Sequence, residues 1–353
     1  MPRYAHIPLV EITRGGTVES IHYGSMAISF YGRKTISIGD SIHPFFLRSS
    51  SKPFQSLAFL ERGGINKYDF SNREIALFCA SHSGTDAHVE VLNVLQEKIG
   101  VTEDFLQCGL HYPLHNETTL RMQKNDEPLH HNRHNCSGKH TGMLAFSKMI
   151  SAPMDSYLDH SHPVQKYILS TFAEMCDVDV KDVQLGIDGC SAPVFAVPLT
   201  NAADAYAKLC QPGALSAKRA EACRAITAAM TSHPDMVAGP DRFDTDIMRT
   251  TGGKIVSKIG AEGYHGIGVI PKACPHFENS IGITVKISDG DLTLRAGSAA
   301  CLAALEKLDI VSEAELASLK QYYRRPIQNW RNKDVGEIRP TNELIEALEA
   351  ISL

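Results

Sequence analysis

The sequence lacks any long hydrophobic run. Nowhere in its 353 residues does an apolar stretch approach the length of roughly 18 residues that a membrane-spanning helix needs. The first residues, MPRYAHIPLVEITRGG, contain no secretory apolar segment and no small-residue cleavage site. We therefore expect a protein that neither enters a membrane nor is exported.

An excess of positive charge is also missing. Lysine and arginine number 35 against 40 aspartates and glutamates, which gives a net charge of −5. This balance argues against nucleic acid and anionic membranes as partners. The nine cysteines are odd in number and scattered, unlike the dense, even-numbered set of a secreted disulfide framework. They predict a reducing, cytoplasmic location.

Repeats and low-complexity tracts are absent as well, so the pattern of strands and helices gives the organisation. Strand-like runs lie near both ends of the chain: SIHYGSMAISF and KTISIG around YGR, and two alternating runs around SDGD, each predicting a hairpin. Between them, AHVEVLNVLQEKIG, VQKYILSTFAEMC and AKRAEACRAITAAMTSH carry apolar stripes of helical period, and AACLAALEKL predicts a helix after the second hairpin.

These patterns predict an α+β fold. One antiparallel sheet is built from both chain ends, flanked by helices, with a mainly helical lobe inserted. We expect residues 1–353 to form one catalytic unit, with a sheet lobe at about 1–80 and 234–353 and a helical lobe at about 81–233. The arrangement is similar to that of serine β-lactamases and glutaminases.

The stretch RSSSKPFQ contains a serine three residues before a lysine. Only Ser49 has this spacing to Lys52, and residues i and i+3 share a helical face. Pro53 tolerates only the first turn of a helix, which predicts a helix start near residue 50 and an end at Gly63-Gly64. Ser49 is then a candidate nucleophile with Lys52 as its base. The alternative is that Ser49 or Ser50 only caps the helix.

Three further clusters carry reactive side chains. CASHSGTDAHVE places Ser81 at a helix entry, and SKIGAEG places Lys258 after a strand-like run. HNCSGKHTGML, with a turn expected at Gly138, and DGCSAP supply thiols, and Cys and His are the ligands that a soft metal prefers. Taken alone, these clusters are more typical of a capped loop, packed thiols and a solvated strand lysine than of a catalytic or metal site.

Together, these stretches resemble one family, the type II L-asparaginases of the thermolabile Rhizobium etli type. The matching stretches occur in family order and cover nearly the whole chain: EITRGGTVESIHYG, RSSSKPFQ, CASHSGTDAH, NCSGKHTGML, DGCSAP, HPDMVAG, SKIGAEG and PIQNWRNKDVGEIRP. The resemblance implies a fold like that of serine β-lactamases and glutaminases, and a homodimer.

The resemblance also implies roles for particular residues. Two serine–lysine pairs, Ser49 with Lys52 and Ser81 with Lys258, would form the catalytic centre. A zinc site nearby would use Cys136, Lys139 and Cys190, although the residues alone suggest His140 as a ligand or as a neighbour of the ligands. Lysine is an unusual zinc ligand, because it must bind as the neutral amine.

Two features depart from the family pattern. Asp244 stands where the family has a cysteine, and we expect this difference to change either the metal affinity or the basicity of the lysines. The tract SSSK adds two hydroxyls beside the expected nucleophile.

The expected activity is hydrolysis of the side-chain amide of L-asparagine to L-aspartate and ammonia. Ser49 would attack and Lys52 would accept its proton, while Ser81 and Lys258 relay protons. Ser81 as the nucleophile is the alternative. Arg48 would pair with the α-carboxylate of the substrate, and Asp188 with its α-ammonium.

Other functions stay open on the sequence. A serine hydrolase of this type could act on glutamine, a β-lactam or a peptide. A non-catalytic protein that binds a metal or an amino acid would keep the two cysteines without needing both serine–lysine pairs. A zinc hydrolase would lose all activity on chelation.

Overall fold

The structure is a computed structural model that describes residues 5–351. These residues form eleven strands and fourteen α-helices. The strands are β1 (Ile7–Arg14), β2 (Thr17–Phe30), β3 (Ile36–Ile38), β4 (Pro44–Phe46), β5 (Gln184–Ile187), β6 (Pro193–Pro198), β7 (Ile255–Gly260), β8 (Tyr264–Val269), β9 (Ile281–Ile287), β10 (Arg325–Gln328) and β11 (Asp334–Pro340). The helices are α1 (Lys52–Phe59), α2 (Ile65–Tyr68), α3 (Asn72–Phe78), α4 (Asp86–Ile99), α5 (Asn116–Lys124), α6 (Ser137–Met149), α7 (Pro163–Met175), α8 (Leu199–Cys210), α9 (Ala217–Ser232), α10 (Pro234–Val237), α11 (Phe243–Thr250), α12 (Gly297–Lys307), α13 (Glu313–Ser318) and α14 (Asn342–Glu349).

The chain divides into two compact units. The first, the sheet unit, contains the described residues up to Ser50, Ala196–Gln211 and those from Asp246 onward; the second, the helical unit, contains Ser51–Phe195 and Pro212–Thr245. The predicted lobes have their boundaries near 80 and 234 instead. The main difference is that the sequence pattern assigns the helices between 51 and 80 to the sheet lobe and α8 to the helical lobe.

The sheet unit is built on one antiparallel sheet. Its strand order is β10-β11-β1-β2-β9-β8-β7, with β3 also paired to β2. β1 pairs with β2 on one side and with β11 on the other, so the two ends of the chain meet in adjacent strands. The predicted α+β fold with a sheet from both chain ends is therefore confirmed.

Two helices of the sheet unit cover the sheet. α8 packs against β2, β8 and β9, and α12 packs against β8, β9 and β11. Two adjacent residues of β8 face different helices: Gly266 lies against Tyr206 of α8, whereas His265 lies against Gly297 of α12. Because successive side chains of a strand point to opposite faces, α8 and α12 lie on opposite sides of β8. All residues of β7 and of β8 are buried.

The helical unit has α1 near its centre. All eight residues of α1 are buried, and this helix packs against α3, α6, α7 and α9. The three apolar stripes predicted as helices correspond to α4, α7 and α9, and the helix predicted in AACLAALEKL corresponds to α12 of the sheet unit. A fully buried helix that begins with Lys52 forces the amine of that residue into the interior, where it needs polar partners.

The end predicted for α1 at Gly63-Gly64 is wrong. The chain continues from α1 through one π-helical turn, Leu60–Gly64, directly into α2. Gly63 has a φ of 96° inside this turn, so the glycine allows a kink between two helical segments.

The hairpin predicted around SDGD is also wrong. β9 precedes this turn, but no strand follows it before α12 begins at Gly297. Asp289 accepts a hydrogen bond from the Asp291 backbone, and Asp291 accepts from the backbone N–H groups of Arg295, Ala296 and Gly297. These carboxylates satisfy the start of α12, and β9 pairs instead with β2 and β8. The hairpin predicted around YGR is confirmed by the pairing of β2 with β3.

All nine cysteines are buried, and none of them forms a disulfide bond within residues 5–351. In the part of the chain that the structure describes, no helix combines the length and the apolar character needed to cross a membrane.

Candidate active site

Ser49 lies in a tight turn of the sheet unit. Residues Arg48–Ser51 form a 3₁₀ turn that runs into α1, and the Ser50 N–H donates to the Leu47 carbonyl at 3.0 Å. Arg48 has a φ of 52°, an uncommon left-handed conformation for a residue other than glycine. Ser49 itself is half-buried. The N-cap of α1 is Ser51, whose side chain makes no capping hydrogen bond, so the interpretation of Ser49 or Ser50 as the cap is wrong.

The neighbouring Ser50 connects this turn to strand β7. Its hydroxyl donates to the backbone carbonyl of Lys258 at 2.9 Å and lies 2.9 Å from the hydroxyl of Tyr206. The Tyr206 hydroxyl also donates to the Ser50 carbonyl at 2.7 Å. The Lys258 amine is buried and donates to the Ile259 carbonyl at 2.8 Å. The turn with Ser49 and the strand with Lys258 are thus joined within the sheet unit.

Lys52 meets Ser81 inside the helical unit. Its Nζ donates to Ser81 Oγ at 2.9 Å, to the Ala80 carbonyl and to Cys136 Sγ at 3.2 Å. These acceptors match the three protons of an ammonium group. Ser81 follows α3 and is fixed by its N–H, which donates to the Val237 carbonyl. A serine hydroxyl in hydrogen-bond contact with a buried lysine is the arrangement that Ser–Lys chemistry requires.

The two predicted serine–lysine pairs each have one residue in each unit. The boundary falls between Ser50 and Ser51, so Ser49 and Lys258 belong to the sheet unit, whereas Lys52 and Ser81 belong to the helical unit. Within a unit, the structure brings together Lys52 and Ser81, and Ser50 and the Lys258 backbone. The pairings of Ser49 with Lys52 and of Ser81 with Lys258 stay predictions.

Two thiols and a lysine form a cluster beside Lys52. Cys136 precedes α6, Lys139 lies in its first turn, and Cys190 follows β5. Lys139 Nζ donates to Cys190 Sγ at 3.0 Å. The turn predicted at Gly138 is wrong, because this residue lies inside α6. There a Cβ atom would come within 2.2 Å of the Leu77 carbonyl oxygen, so only glycine lets α6 approach α3 this closely.

The cluster divides its charge unequally. A hydrogen bond from the Cys136 thiol, together with the charge of Lys139, holds the pKa of Cys190 far below its usual range. The same hydrogen bond, with burial, raises the pKa of Cys136. Burial alone would lower the pKa of Lys139, but the two sulfurs and Asp188 raise it above its ordinary value. We therefore assign Cys190 as a thiolate paired with the Lys139 ammonium, and Cys136 as a neutral thiol.

His140 lies at the edge of this cluster. Its Nδ1 is 2.7 Å from the Tyr157 hydroxyl, whereas its buried Nε2 makes no hydrogen bond of acceptable geometry within residues 5–351. Burial lowers the pKa of His140 to about 4, even though Cys190 is close enough to raise it. The imidazole is therefore neutral at pH 7.

The cluster of Cys136, Lys139 and Cys190 offers a soft metal three ligands only if Lys139 is one of them. Among residues 5–351, no group of three or more His, Cys, Asp or Glu side chains has an arrangement that could hold a metal ion. The role of His140, as a ligand or as a neighbour of the ligands, stays a prediction. Cys136, Cys190 and the amine of Lys139 together provide two sulfurs and one nitrogen, which are donors that zinc accepts. Zinc binding here stays a prediction.

The remaining predicted residues surround these clusters. Asp188 is half-buried and accepts a hydrogen bond from the Gly189 N–H at 2.8 Å. Asp244 is buried in α11. Arg48 is half-buried in the turn that contains Ser49. Their proposed roles toward substrate or metal stay predictions.

The sequence patterns missed several residues near the site. His134 Nδ1 accepts the Cys136 N–H at 3.0 Å, and His82 Nε2 is 2.8 Å from Ser137 Oγ at the start of α6. Both histidines lie in stretches that the sequence marks as unusual, HNCSGKH and CASHS. Nothing in the sequence points to Tyr206, because this residue lies far along the chain in an ordinary amphipathic helix.

A model of the L-asparaginase II family matches residues 10–340. The chain belongs to the L-asparaginase II family. This match confirms the family that the ordered motifs indicated. The L-asparaginase II family places the chain among the amidohydrolases.

Solved structures also align with this L-asparaginase II family chain. One is a probable glutaminase from Bacillus subtilis complexed with 6-diazo-5-oxo-L-norleucine, with 13% identity, coverage of 81% of this chain and 84% of that chain, and a TM-score of 0.39. Another is a β-lactamase from Burkholderia ambifaria, with 15% identity, coverage of 80% and 93%, and a TM-score of 0.39. Similarities with TM-scores this low carry no conclusion about this chain. Comparison with curated proteins finds no match.

Proposed function

We propose that this protein hydrolyses the side-chain amide of L-asparagine to L-aspartate and ammonia by Ser–Lys catalysis. The observation that carries the proposal is the family match over residues 10–340. The contact between Lys52 Nζ and Ser81 Oγ at 2.9 Å supplies a reactive group suited to that chemistry. Burying a lysine amine costs free energy, so a buried lysine that donates a hydrogen bond to a serine indicates a functional site.

In the proposed mechanism, Ser49 Oγ attacks the amide carbon and its proton passes to a neutral Lys52. The tetrahedral intermediate expels ammonia, which takes a proton from the Lys52–Ser81 pair, and an acyl-serine ester is left. Water then attacks the ester and gives a proton to the same pair, which passes it to the departing Ser49 Oγ as aspartate is released. Lys258 joins Ser81 in returning protons. To accept the proton of Ser49, Lys52 must be in its neutral form.

Ser81 is the alternative nucleophile, because it holds the contact with Lys52. A diazoketone analogue of asparagine alkylates a reactive serine, and peptide mapping by mass spectrometry identifies the residue that carries it. We expect the label on Ser49. A label on Ser81 would exchange the two serine roles while keeping the reaction.

Two charged residues are proposed to recognise the ends of the substrate. Arg48 would pair with the α-carboxylate through its planar guanidinium, and Asp188 with the α-ammonium. Arg48 suits this role because it precedes Ser49 directly and is half-buried. Asp188 suits its role because its carboxylate is half-buried and belongs to a residue only two positions before Cys190.

Cys136, Lys139 and Cys190 are proposed to hold zinc. When bound, zinc supplies a positive charge that neutralises the thiolates and keeps the residues around them in one arrangement. Lys139 must shed its proton to act as a ligand, so binding releases protons and weakens at low pH. Asp244, in place of the family's cysteine, adds a carboxylate to the helical unit and no thiol.

We also propose that the protein is located in the cytoplasm, forms a homodimer and binds a small amino acid as its substrate. The scattered free cysteines support the first, and the family resemblance supports the second.

The test is ammonia release across a panel of L-asparagine, L-glutamine and a peptide amide, with a labelled penicillin assayed for acylation. We expect ammonia from asparagine in preference to the other amides. Preference for glutamine, acylation by the penicillin, or metal and amino-acid binding without turnover would each replace the proposal by the corresponding alternative.

A further inference from the structure

We propose that Tyr206 and Ser50 are positioning residues that hold the turn of Ser49 against the strand of Lys258. The inference rests on the proposed function, since it concerns the same catalytic groups. Neither residue was expected to take part on the basis of sequence.

The hydrogen bonds form a connected set within the sheet unit. The Tyr206 hydroxyl donates to the Ser50 carbonyl at 2.7 Å and lies 2.9 Å from Ser50 Oγ. Ser50 Oγ donates in turn to the Lys258 carbonyl at 2.9 Å. Tyr206 and Ser50 are fully buried, so these hydrogen bonds do not compete with water. Three elements, α8, the turn before α1, and β7, are thereby joined at one point.

Glycines opposite these groups allow the close approach. Gly266 pairs with Lys258 across β7 and β8. A Cβ atom on Gly266 would come within 2.2 Å of the Tyr206 ring and 2.5 Å of Ser50 Oγ. A Cβ atom on Gly260, two residues after Lys258, would come within 2.3 Å of the Leu47 carbonyl oxygen. The strands therefore leave space for this turn and for no extra side-chain atom.

The turn needs such support because its backbone is unfavourable. Arg48, immediately before Ser49, has a φ of 52°, which a residue other than glycine rarely adopts. Such conformations persist where the surroundings over-determine them. The two hydrogen bonds at the Ser50 carbonyl and hydroxyl provide this constraint one residue after Ser49.

The tyrosine hydroxyl acts here by bonding rather than by filling space. Phenylalanine has the same ring and would fill the same volume beside Gly266. The replacement Tyr206→Phe would therefore remove the hydrogen bonds and leave the packing of α8 on the sheet. A shift of the nucleophile by about 1 Å can lower turnover about 100-fold, so the loss should be seen in kcat.

The experiment compares kcat for asparagine in matched variants. Tyr206→Phe tests the tyrosine, and Ser50→Ala removes the Ser50 hydroxyl without adding an atom to this buried position. Tyr323→Phe is the control, because it removes another buried tyrosine hydroxyl of the sheet unit, one that contacts Glu306. Thermal melts confirm that each variant is folded.

We expect Tyr206→Phe and Ser50→Ala to lower kcat about 10- to 100-fold, and Tyr323→Phe to stay within about threefold of the parent protein. Full kcat in Tyr206→Phe, or equal losses in Tyr206→Phe and Tyr323→Phe, would overturn the inference. The variant Ser49→Ala is measured in parallel. If it keeps full activity, the proposed role of Ser49 fails and this inference fails with it. If it is inactive while Tyr206→Phe is fully active, only the positioning role is refuted.

Discussion

At the scale of single residues, Lys52 is the side chain on which the proposed chemistry depends most. Its amine is buried, and its hydrogen-bond acceptors include both a candidate catalytic serine and a candidate zinc ligand. In the proposed mechanism, this one amine would link proton transfer at the serines to the thiol cluster.

Replacing Lys52 should remove turnover and leave the fold. Methionine at this position keeps the length of the side chain but can neither accept nor donate a proton, so Lys52→Met should lower kcat by about 10²- to 10⁴-fold. The measurement is steady-state ammonia release. Lys98→Met is a matched control in the same unit, because Lys98 pairs with Glu74 rather than with a serine. Near-parent turnover in folded Lys52→Met would contradict the role of Lys52.

Replacing Cys190 should abolish zinc binding. Cys190→Ser removes the thiolate that contacts Lys139 and Cys136. We expect zinc content, measured by elemental mass spectrometry, to fall from about one ion per chain to near zero. Cys223→Ser is the control, because burial raises the pKa of that thiol to about 12 and leaves it a poor ligand. Unchanged zinc content in Cys190→Ser would contradict the proposed site.

At the scale of elements, two helices show how local structure supports the site. α4 begins with a capping box in which Thr85 and His88 bond each other, and His88 Nε2 donates to the Asp235 carbonyl. α6 begins at the thiol cluster and lies close to α3. Each helix allows a prediction about stability.

Stability should fall as His88 is forced to take up a proton. Burial lowers the pKa of His88 to about 4 in the folded protein, from 6.5 in the unfolded chain. The unfolded state therefore binds more protons between these values, and stability falls as the pH drops from about 6.5 to about 4, by up to about 3 kcal/mol from this residue. Urea unfolding across this range measures the effect. The slope should be shallower in His88→Gln, and an equal slope in both proteins would contradict the prediction.

A methyl group at Gly138 should separate α6 from α3. A Cβ atom there would come within 2.2 Å of the Leu77 carbonyl oxygen, so Gly138→Ala forces the helices apart at a cost of about 1–3 kcal/mol. Gly213→Ala is the control, because nothing lies within 4 Å of its Cβ position. Calorimetry should show a lower Tm for Gly138→Ala alone. Equal Tm values in both variants would show that the contact is not important.

At the scale of the whole molecule, the sequence predicts the broad fold well. Local patterns predict the helices with clear 3.6-residue periodicity, and they predict strands near both chain ends that join in one sheet. The structure confirms both predictions. The errors occur where tertiary contacts override local signals. Gly63 allows a kink rather than an end, Asp291 caps a helix where a strand was expected, and Gly138 serves helix packing.

The site is predictable only in part, for the same reason. Motifs identify Ser49, Lys52, Ser81 and Lys258 as candidates, and the family match confirms the family that these motifs indicated. They do not show that Lys52 contacts Ser81, nor that Ser50 and Tyr206 join the turn to β7. These contacts link residues 29 to 208 positions apart, so no local pattern reports them.

The whole-molecule role of zinc allows one further prediction. If serines supply the nucleophile, protein stripped of metal by a chelator should lose stability and part of its activity but keep measurable turnover. Ser49→Ala should have none with zinc bound. Complete loss on chelation, with the stripped protein still folded, would favour a zinc hydrolase.

The most direct test of the central claim is ammonia release from L-asparagine by the purified protein, compared with release from L-glutamine under the same conditions. The account predicts that asparagine is hydrolysed with the higher kcat/KM. No ammonia from asparagine, or a higher kcat/KM for glutamine, would contradict it.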